Sequence, residues 1–193
     1  MRQPEFIIFT GPMFGSKTTR LMAAVDRFKY QNRKILAFKP SMDDRYDNQD
    51  IVTHNGGKIP ANVIEDASEI FMHLAERDNN VYDVVAVDEA FMISGVADVL
   101  IWLYQRGITV VVSSLDVSAA CNPFEELQKM LPWATKIEKC PAVCPVCGRD
   151  AYYTYKKNDD GEEIAVGGAE LYEPRCFEHH PIMNKREFND TQS

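Results

Sequence analysis

Two features typical of membrane proteins and nucleic-acid-binding proteins are missing from this sequence. No apolar run approaches the roughly 20 residues that a membrane helix needs. Positive charge is scarce, since 21 Lys and Arg face 29 Asp and Glu and leave a net charge of −8. Because nucleic-acid surfaces are built from concentrated Lys and Arg, this balance argues against such a surface. We therefore expect neither a membrane nor a nucleic-acid partner.

Other absences narrow the class further. Internal repeats and low-complexity tracts are missing, and the first apolar segment, residues 6–9, is too short for the core of a signal peptide. We therefore expect a cytoplasmic protein, in which the five cysteines are metal ligands or free thiols and not disulfides. The 193 residues, 45% of them hydrophobic, suit one domain of ordinary size with a small appendage.

The sequence divides near residue 140 into two regions of different character. Before this point, short β-branched runs alternate with helical patterns, which predicts right-handed crossovers and an α/β fold with a mostly parallel sheet. After it, Cys, Pro, Gly and aromatic residues are frequent. We expect an α/β domain over residues 1–139, a small metal-binding domain over 140–182, and a polar, disordered tail over 183–193.

The periodicity of apolar residues gives the individual elements. The predicted buried strands are residues 6–9, 35–38, 84–87 and 110–112. Three helices are predicted, with these apolar faces: Leu21, Met22, Val25 and Phe28; Ile70, Phe71 and Leu74; Val99, Leu100, Leu103 and Tyr104, ended by Gly107. A hairpin of residues 151–155 and 163–166, with its turn at 158–161, is predicted in the second region.

The most informative segment directly follows the first predicted strand. It reads Gly11, Pro12, Met13, Phe14, Gly15, Ser16, Lys17 and Thr18. A strand, a glycine-containing loop and a helix in this order are typical of a P-loop, whose backbone N–H groups bind nucleotide phosphates. Lys17 would reach the outer phosphates and Thr18 would hold a magnesium ion. The usual spacing has glycine directly before the lysine, and a left-handed Ser16 at that position would cost about 1–2 kcal/mol.

A second motif is the pair of carboxylates after the predicted strand at residues 84–87. Asp88 follows this strand directly, as does the magnesium-binding carboxylate of P-loop enzymes. The alternative is an acidic cap on the next helix. A second carboxylate beside the metal ligand is suited to act as a general base, which makes Glu89 the candidate catalytic residue.

A third motif pairs Cys144 and Cys147 with Cys176 and His179. The CxxC and CxxH spacings are those of a tetrahedral Cys₃His zinc site, and four protein ligands leave no open position, so we expect a structural zinc. Cys140 and His180 are the rival ligands. Cys121 is isolated in sequence, and we expect a simple buried thiol there.

Between the two zinc pairs, Gly167, Gly168 and Ala169 are followed closely by Tyr172. The glycines allow the backbone to approach a ligand, and Tyr172 offers an aromatic face or a hydroxyl. A surface loop with a packed tyrosine would have the same composition, so both interpretations stay open here.

In their order along the chain, these motifs resemble the zinc-containing thymidine kinases of the RecA-like type. The order is the P-loop, an Asp-x-Arg-Tyr motif at residues 43–46, strand-Asp-Glu, a Leu-Asp pair at residues 115–116, CxxC, Gly-Gly-Ala with Tyr, and CxxH, from about Phe6 to His179. The resemblance implies a RecA-like P-loop core with a mostly parallel sheet and a small zinc-bound lasso domain. It also implies ATP, Mg²⁺ and structural Zn²⁺ as cofactors, and a homotetramer as the assembly.

The activity implied is transfer of the ATP γ-phosphate to the 5′-hydroxyl of thymidine or a related pyrimidine deoxynucleoside. Glu89 matches the catalytic base, and Asp88 with Thr18 the magnesium site. Asp43 and Arg45 match residues near the phosphates and the metal, although a surface ion pair would explain them as well. The residues implied to bind the nucleoside are Met13, Met92, Leu115, Phe124, Gly167, Gly168, Ala169 and Tyr172.

The chain departs from the family pattern at three places. Gly15 and Ser16 are transposed, Phe91 stands where the family has Gln, and Ala119 stands where an aromatic residue adjoins the base. We expect a base pocket with smaller and softer walls, able to accept a different or larger pyrimidine substituent. Two other functions stay open: an ATP-hydrolysing P-loop protein, and a non-catalytic zinc protein that retains the fold.

Overall fold

The computed structural model describes residues 3–41, 50–52, 57–75, 82–158 and 167–183. The described strands are β1 (Phe6–Thr10), β2 (Ile35–Pro40), β3 (Asp50–Val52), β4 (Lys58–Pro60), β5 (Asn62–Ile64), β6 (Val84–Val87), β7 (Thr109–Ser114), β8 (Lys136–Lys139), β9 (Ala142–Val143), β10 (Asp150–Ala151), β11 (Tyr153–Lys156) and β12 (Tyr172–Arg175). The described α-helices are α1 (Lys17–Tyr30), α2 (Glu69–Ala75), α3 (Val96–Gln105) and α4 (Glu125–Met130).

Six strands form the central sheet in the order β5-β2-β6-β7-β1-β8. All five neighbouring pairs are parallel. The predicted α/β fold with a mostly parallel sheet is therefore confirmed. The β-branched runs read from the sequence are β1, β2, β6 and β7, which lie at the centre of this sheet, where apolar residues are buried on both faces.

The two faces of the sheet bury separate apolar clusters. Along β1, Phe6 and Ile8 point to the cluster that α3 covers, whereas Ile7 and Phe9 point to the cluster that α1 covers. This alternation follows from the period of two in a strand. The α1 face is buried as predicted, with Leu21, Met22, Val25 and Phe28 inside.

The prediction of the buried face of α2 is partly wrong. Ile70 is fully buried and Leu74 packs against the core, but Phe71 is exposed and meets the ring of Trp102 edge-on at 5.1 Å. The helix has only seven residues, so it presents a narrow apolar stripe to the sheet. Phe71 lies beside that stripe, on the outer surface of the protein.

Residues 142–158 and 167–183 are called the small lobe below. Its strands pair as two antiparallel ribbons, β9 with β10 and β11 with β12. The predicted strand at residues 151–155 is thus divided between two ribbons. The predicted return strand at 163–166 and nearly all of the predicted tail lie outside the described residues. Within the described helices, none is long and apolar enough to span a membrane.

Candidate active site and metal centre

The carboxyl ends of four parallel strands meet at one edge of the central sheet. β1 runs into the P-loop, β2 ends at Lys39 and Pro40, and β6 runs into Asp88. Phe9 pairs with Ser113, and Val87 pairs with Val112 on the same β7 strand, so the residues after β6 lie beside the end of β7. Ligands bind at this edge in open parallel sheets.

Two backbone N–H groups of the P-loop donate hydrogen bonds to acceptors within the protein. The Met13 N–H donates to Thr154 Oγ1 at 3.1 Å, and the Gly15 N–H donates to the Pro12 carbonyl at 3.3 Å. The anion site predicted from the sequence therefore depends on the later part of the loop and on α1. This helix begins at Lys17, and the first N–H groups of a helix have no acceptor within it.

The transposed Gly15 and Ser16 each meet a different constraint. Ser16 has φ 58° and ψ 27°, the left-handed conformation that glycine adopts without strain. Gly15 lies against the Cys140 backbone, where an added Cβ would come within 2.6 Å of the carbonyl oxygen. Gly15 is therefore needed for close packing, and the conformational strain falls on Ser16.

Lys17 is buried at the base of the loop, with 6% of its surface exposed. Its Nζ donates to the Pro12 carbonyl at 2.7 Å. Burial lowers the pKa of this ammonium below its ordinary value, and the carboxylates of Glu89 and Asp88 oppose that shift. A buried cation enclosed by the loop is suited to bind an anion that enters the loop.

Thr18, at the start of α1, lies beside Asp88, which directly follows β6. Thr18 Oγ1 lies 3.1 Å from both carboxylate oxygens of Asp88, and Ser113 Oγ donates to the same carboxylate. Two oxygen ligands of Mg²⁺ at about 2.1 Å from the metal are separated by about 3 Å. The oxygen atoms present therefore fit the magnesium site predicted from the sequence.

Glu89 lies directly after Asp88 and is half-buried. Its backbone is left-handed, with φ 51° and ψ 43°, and its N–H donates to Ser113 Oγ at 3.2 Å. Non-glycine residues in this conformation are uncommon and occur often at functional sites. The turn brings the side chain to the same cavity as the P-loop.

A cavity of about 460 Å³ joins these elements. Its lining consists of residues 13–19, Lys39, residues 50–52, Asp88, Glu89 and residues 167–170. The P-loop, the two carboxylates and the Gly-Gly segment thus share one space. Thr19, Lys39, residues 50–52 and Glu170 also line the cavity and were not among the predicted site residues. The signal for Lys39 is a lysine within an apolar strand, where it is only 3% exposed.

Other predicted nucleoside-binding residues lie away from this lining. Among the described residues, Met92, Leu115, Phe124 and Tyr172 do not line the cavity. Phe124 packs on Phe91, with ring centroids 4.7 Å apart. Tyr172 is buried in β12, where its N–H donates to the Gly168 carbonyl. A nucleoside-binding role for these four residues stays a prediction.

The Gly-Gly segment is folded onto its own neighbours. The Gly168 N–H donates to the Glu170 carboxylate at 2.5 Å, and the Ala169 carbonyl accepts from Lys157 Nζ at 2.6 Å. The segment therefore reaches the cavity, while these two backbone groups are bonded within the small lobe.

The four predicted zinc ligands converge in the small lobe. The ligand atoms of Cys144, Cys147, Cys176 and His179 all lie within 4.8 Å of one another. The Cys147 and Cys176 sulfurs are 3.7 Å apart. A tetrahedral zinc with Zn–S bonds of about 2.3 Å separates two sulfurs by about 3.8 Å, so the donor set fits zinc.

The surroundings of Cys144 favour the thiolate that zinc requires. Burial opposes ionisation of this thiol, but backbone N–H groups of Cys176, Val146 and Cys147 act on the sulfur and lower its pKa to about 6. Arg149 adds positive charge beside the site, with Nε 3.4 Å from the Cys147 sulfur. A lowered thiol pKa lets zinc compete with protons at neutral pH.

The rival ligands have other roles in the fold. Cys140 is fully buried in the core cluster beneath α1, and burial raises its pKa. His180 is 1% exposed, and its Nε2 lies 3.0 Å from the Thr154 carbonyl. The prediction for Cys121 needs correction: it is half-buried, has φ 64°, and its sulfur lies 4.0 Å from His180 Nδ1. The small lobe packs against Cys121, although the two are distant in sequence.

One pair of predicted residues cannot be located. Asp43 and Arg45, expected near the phosphates and the metal, lie outside the described residues. Their role stays a prediction.

Among solved structures, the chain is similar to the X-ray structure of the Legionella pneumophila ATPase DotB. The identity is 16% and the TM-score is 0.45, and the match covers 78% of this chain and 44% of that chain. The chain therefore spans less than half the length of that structure. At this identity and TM-score the likeness gives no information about activity.

A family comparison covers much more of the sequence. The thymidine kinase family model matches residues 5–180. This range includes the P-loop, the two carboxylates after β6 and the four Cys and His residues that converge in the small lobe. The chain belongs to the thymidine kinase family.

Proposed function

We propose that this chain transfers the γ-phosphate of ATP to the 5′-hydroxyl of thymidine or a related pyrimidine deoxynucleoside. Membership of the thymidine kinase family supports a deoxynucleoside kinase. The cytoplasmic location, expected from the sequence, and the homotetramer, implied by the resemblance, both stay predictions.

One observation carries the proposal. The phosphate-binding loop, the paired carboxylates and the Gly-Gly segment line the same cavity of about 460 Å³. A phosphoryl-transfer enzyme needs its phosphate site, its metal ligands and its base at one point, because catalysis is mainly positioning and electrostatic stabilisation.

Each group in the cavity has a role in this reaction. Lys17 and the N–H groups at the start of α1 would bind the phosphate oxygens of ATP. Thr18 and Asp88 would hold Mg²⁺, which supplies charge neutralisation at the phosphates when bound. The Gly-Gly segment would cover the nucleoside and exclude water.

Glu89 is the proposed general base. It follows the metal ligand Asp88 and faces the cavity, so its carboxylate can accept the proton of a 5′-hydroxyl placed there. Its left-handed backbone directs the side chain away from the path that a continuing strand would take.

A nucleoside panel tests the activity. Purified protein is given ATP, Mg²⁺ and thymidine, deoxyuridine or 5-substituted analogues, and formation of the 5′-monophosphate is followed. We expect product with at least one pyrimidine deoxynucleoside, and acceptance of large 5-substituents if Ala119 widens the pocket. ATP hydrolysis that is indifferent to nucleoside would favour the hydrolase, and ATP binding without turnover would favour the non-catalytic protein.

The variant Glu89→Gln tests the base. We expect kcat to fall by about 10²–10⁴-fold while ATP binding is kept, since the amide cannot accept the proton. Glu125→Gln is the matched control, because Glu125 lies on the exposed face of α4 and pairs only with Lys129 among the ion pairs described. Near-normal turnover by Glu89→Gln would exclude Glu89 as the base.

A further inference from the structure

The small lobe makes a direct hydrogen bond to the P-loop. Thr154, on β11, accepts the Met13 N–H at 3.1 Å and is only 2% exposed. The two residues are 141 positions apart in sequence. This bond fixes the direction of a peptide group in the first half of the loop.

The next residue of the loop is held by the same lobe. Phe14 packs against an apolar cluster of the small lobe and has a left-handed backbone with φ 65°. That cluster contains Cys144 and Cys176, two of the four proposed zinc ligands, together with Ala142 and Ala151. Phe14 therefore contacts the cluster that includes part of the proposed zinc site, and its position depends on whether that site is ordered.

The segment that enters the small lobe lies against the glycines of the loop. A Cβ added at Gly11 or at Gly15 would come within 2.4 or 2.6 Å of the Cys140 carbonyl oxygen. The Cys140 N–H donates to the Thr10 carbonyl at 2.7 Å. The loop is thus packed against the connection between β8 and β9.

His180 forms a second hydrogen bond with Thr154. It directly follows the proposed zinc ligand His179, and its Nε2 donates to the Thr154 carbonyl at 3.0 Å, because a carbonyl can only accept. The ring of Tyr153 lies 5.6 Å from the imidazole. Two bonds therefore connect the zinc site to the loop, from His180 to Thr154 and from Thr154 to Met13.

We propose that the small lobe positions the P-loop through Thr154, so that affinity for nucleotide phosphate depends on the Thr154 hydroxyl and on zinc occupancy. Thr154 is a positioning residue, since it acts on the ligand only through the loop backbone. If only a fraction of the molecules has the loop in its binding conformation, the apparent affinity for nucleotide falls in proportion to that fraction. The inference rests on the proposed binding of ATP by this loop.

The variant Thr154→Val tests the hydrogen bond with almost no change in volume. We expect the Kd for ATP with Mg²⁺, measured by calorimetry on zinc-loaded protein, to rise by about 3- to 10-fold, the equivalent of one net hydrogen bond. Thr154→Ser keeps the hydroxyl and should restore the affinity. Zinc content and the KM for nucleoside should stay near the wild-type values in both variants.

Thr135→Val is the matched control. Thr135 Oγ1 also accepts a backbone N–H on β1, that of Phe6 at 2.9 Å, but at the end of the strand remote from the P-loop. This variant should bind ATP as the wild type does. Equal ATP affinity in Thr154→Val and Thr135→Val would overturn the proposal.

Zinc titration of the wild type is an independent test. ATP affinity should fall as a chelator removes zinc and recover when zinc is returned, with a smaller dependence in Thr154→Val. Undiminished ATP affinity in zinc-depleted wild-type protein would contradict the coupling. A zinc-loaded wild type that does not bind ATP at all would instead refute the proposed function.

Discussion

At the scale of single residues, Gly15 and Ser16 meet two different structural demands within one loop. The sequence predicts a P-loop with one residue out of order. In the structure, the left-handed conformation stays at position 16, where Ser16 has φ 58°. Glycine at position 15 meets a packing demand instead, since the Cys140 carbonyl leaves no room for a Cβ.

Replacing Ser16 by glycine should therefore stabilise the protein. We expect Ser16→Gly to raise the free energy of unfolding by about 1 kcal/mol, because glycine adopts φ 58° without the clash that a Cβ causes. Urea unfolding measures the change. Ser16→Ala keeps the Cβ and should stay near the wild type, so an equal gain in both variants would contradict backbone strain as the cause.

The neighbouring change should have the opposite sign. Gly15→Ala places a Cβ 2.6 Å from a backbone oxygen, which cannot move as a flexible side chain does. We expect a loss of about 1–3 kcal/mol in the same unfolding measurement. A neutral result would mean that the connection between β8 and β9 yields easily.

At the scale of elements, the predictions succeeded where one local signal decided the outcome. The strands β1, β2, β6 and β7 and the buried face of α1 follow from short apolar runs and from helical spacing. Phe71 shows the limit, because its partner Trp102 comes from another helix. The contact between Cys121 and His180 likewise joins elements that no local pattern connects.

The Cys and His pairs predict a metal-dependent element. We expect about one zinc per chain in the wild type, and its loss in Cys144→Ser with a lower melting temperature, because a hydroxyl is a poor zinc ligand and the metal stabilises its own site. Metal analysis and thermal denaturation measure both effects. Cys140→Ala should keep its zinc, since Cys140 lies in the core beneath α1. If Cys140→Ala lost its zinc while Cys144→Ser kept it, Cys140 would be the zinc ligand in place of Cys144.

At the scale of the whole molecule, the domain boundary near residue 140 stays a prediction with a direct test. The central sheet has its own apolar clusters, whereas the cluster of the small lobe includes two of the proposed zinc ligands. After zinc removal we expect β9–β12 to lose protection from hydrogen exchange while β1, β6 and β7 keep it. Loss of protection in both regions together would show a single cooperative unit.

Much of the candidate site could be predicted because its parts are local motifs on parallel strands. The P-loop and the Asp88-Glu89 pair are each contiguous in sequence, and the carboxyl ends of parallel strands meet at one edge of the sheet. Lys39 and Glu170 reach the same cavity from other segments. The sequence marks Lys39 only as a lysine within an apolar strand, and Glu170 is of a residue type common on surfaces, so the sequence offers little reason to select it.

The sequence by itself determined the four central strands β1, β2, β6 and β7, the buried face of α1, the candidate phosphate-binding loop, the paired carboxylates and the Cys and His pairs, because each depends on spacing within a few residues. Only the tertiary structure decided that Thr154 bonds to Met13 and that Gly15 must be small beside Cys140. These contacts join segments more than 100 residues apart. Their geometry depends on how the small lobe and the connection between β8 and β9 pack against the P-loop, which no local pattern encodes.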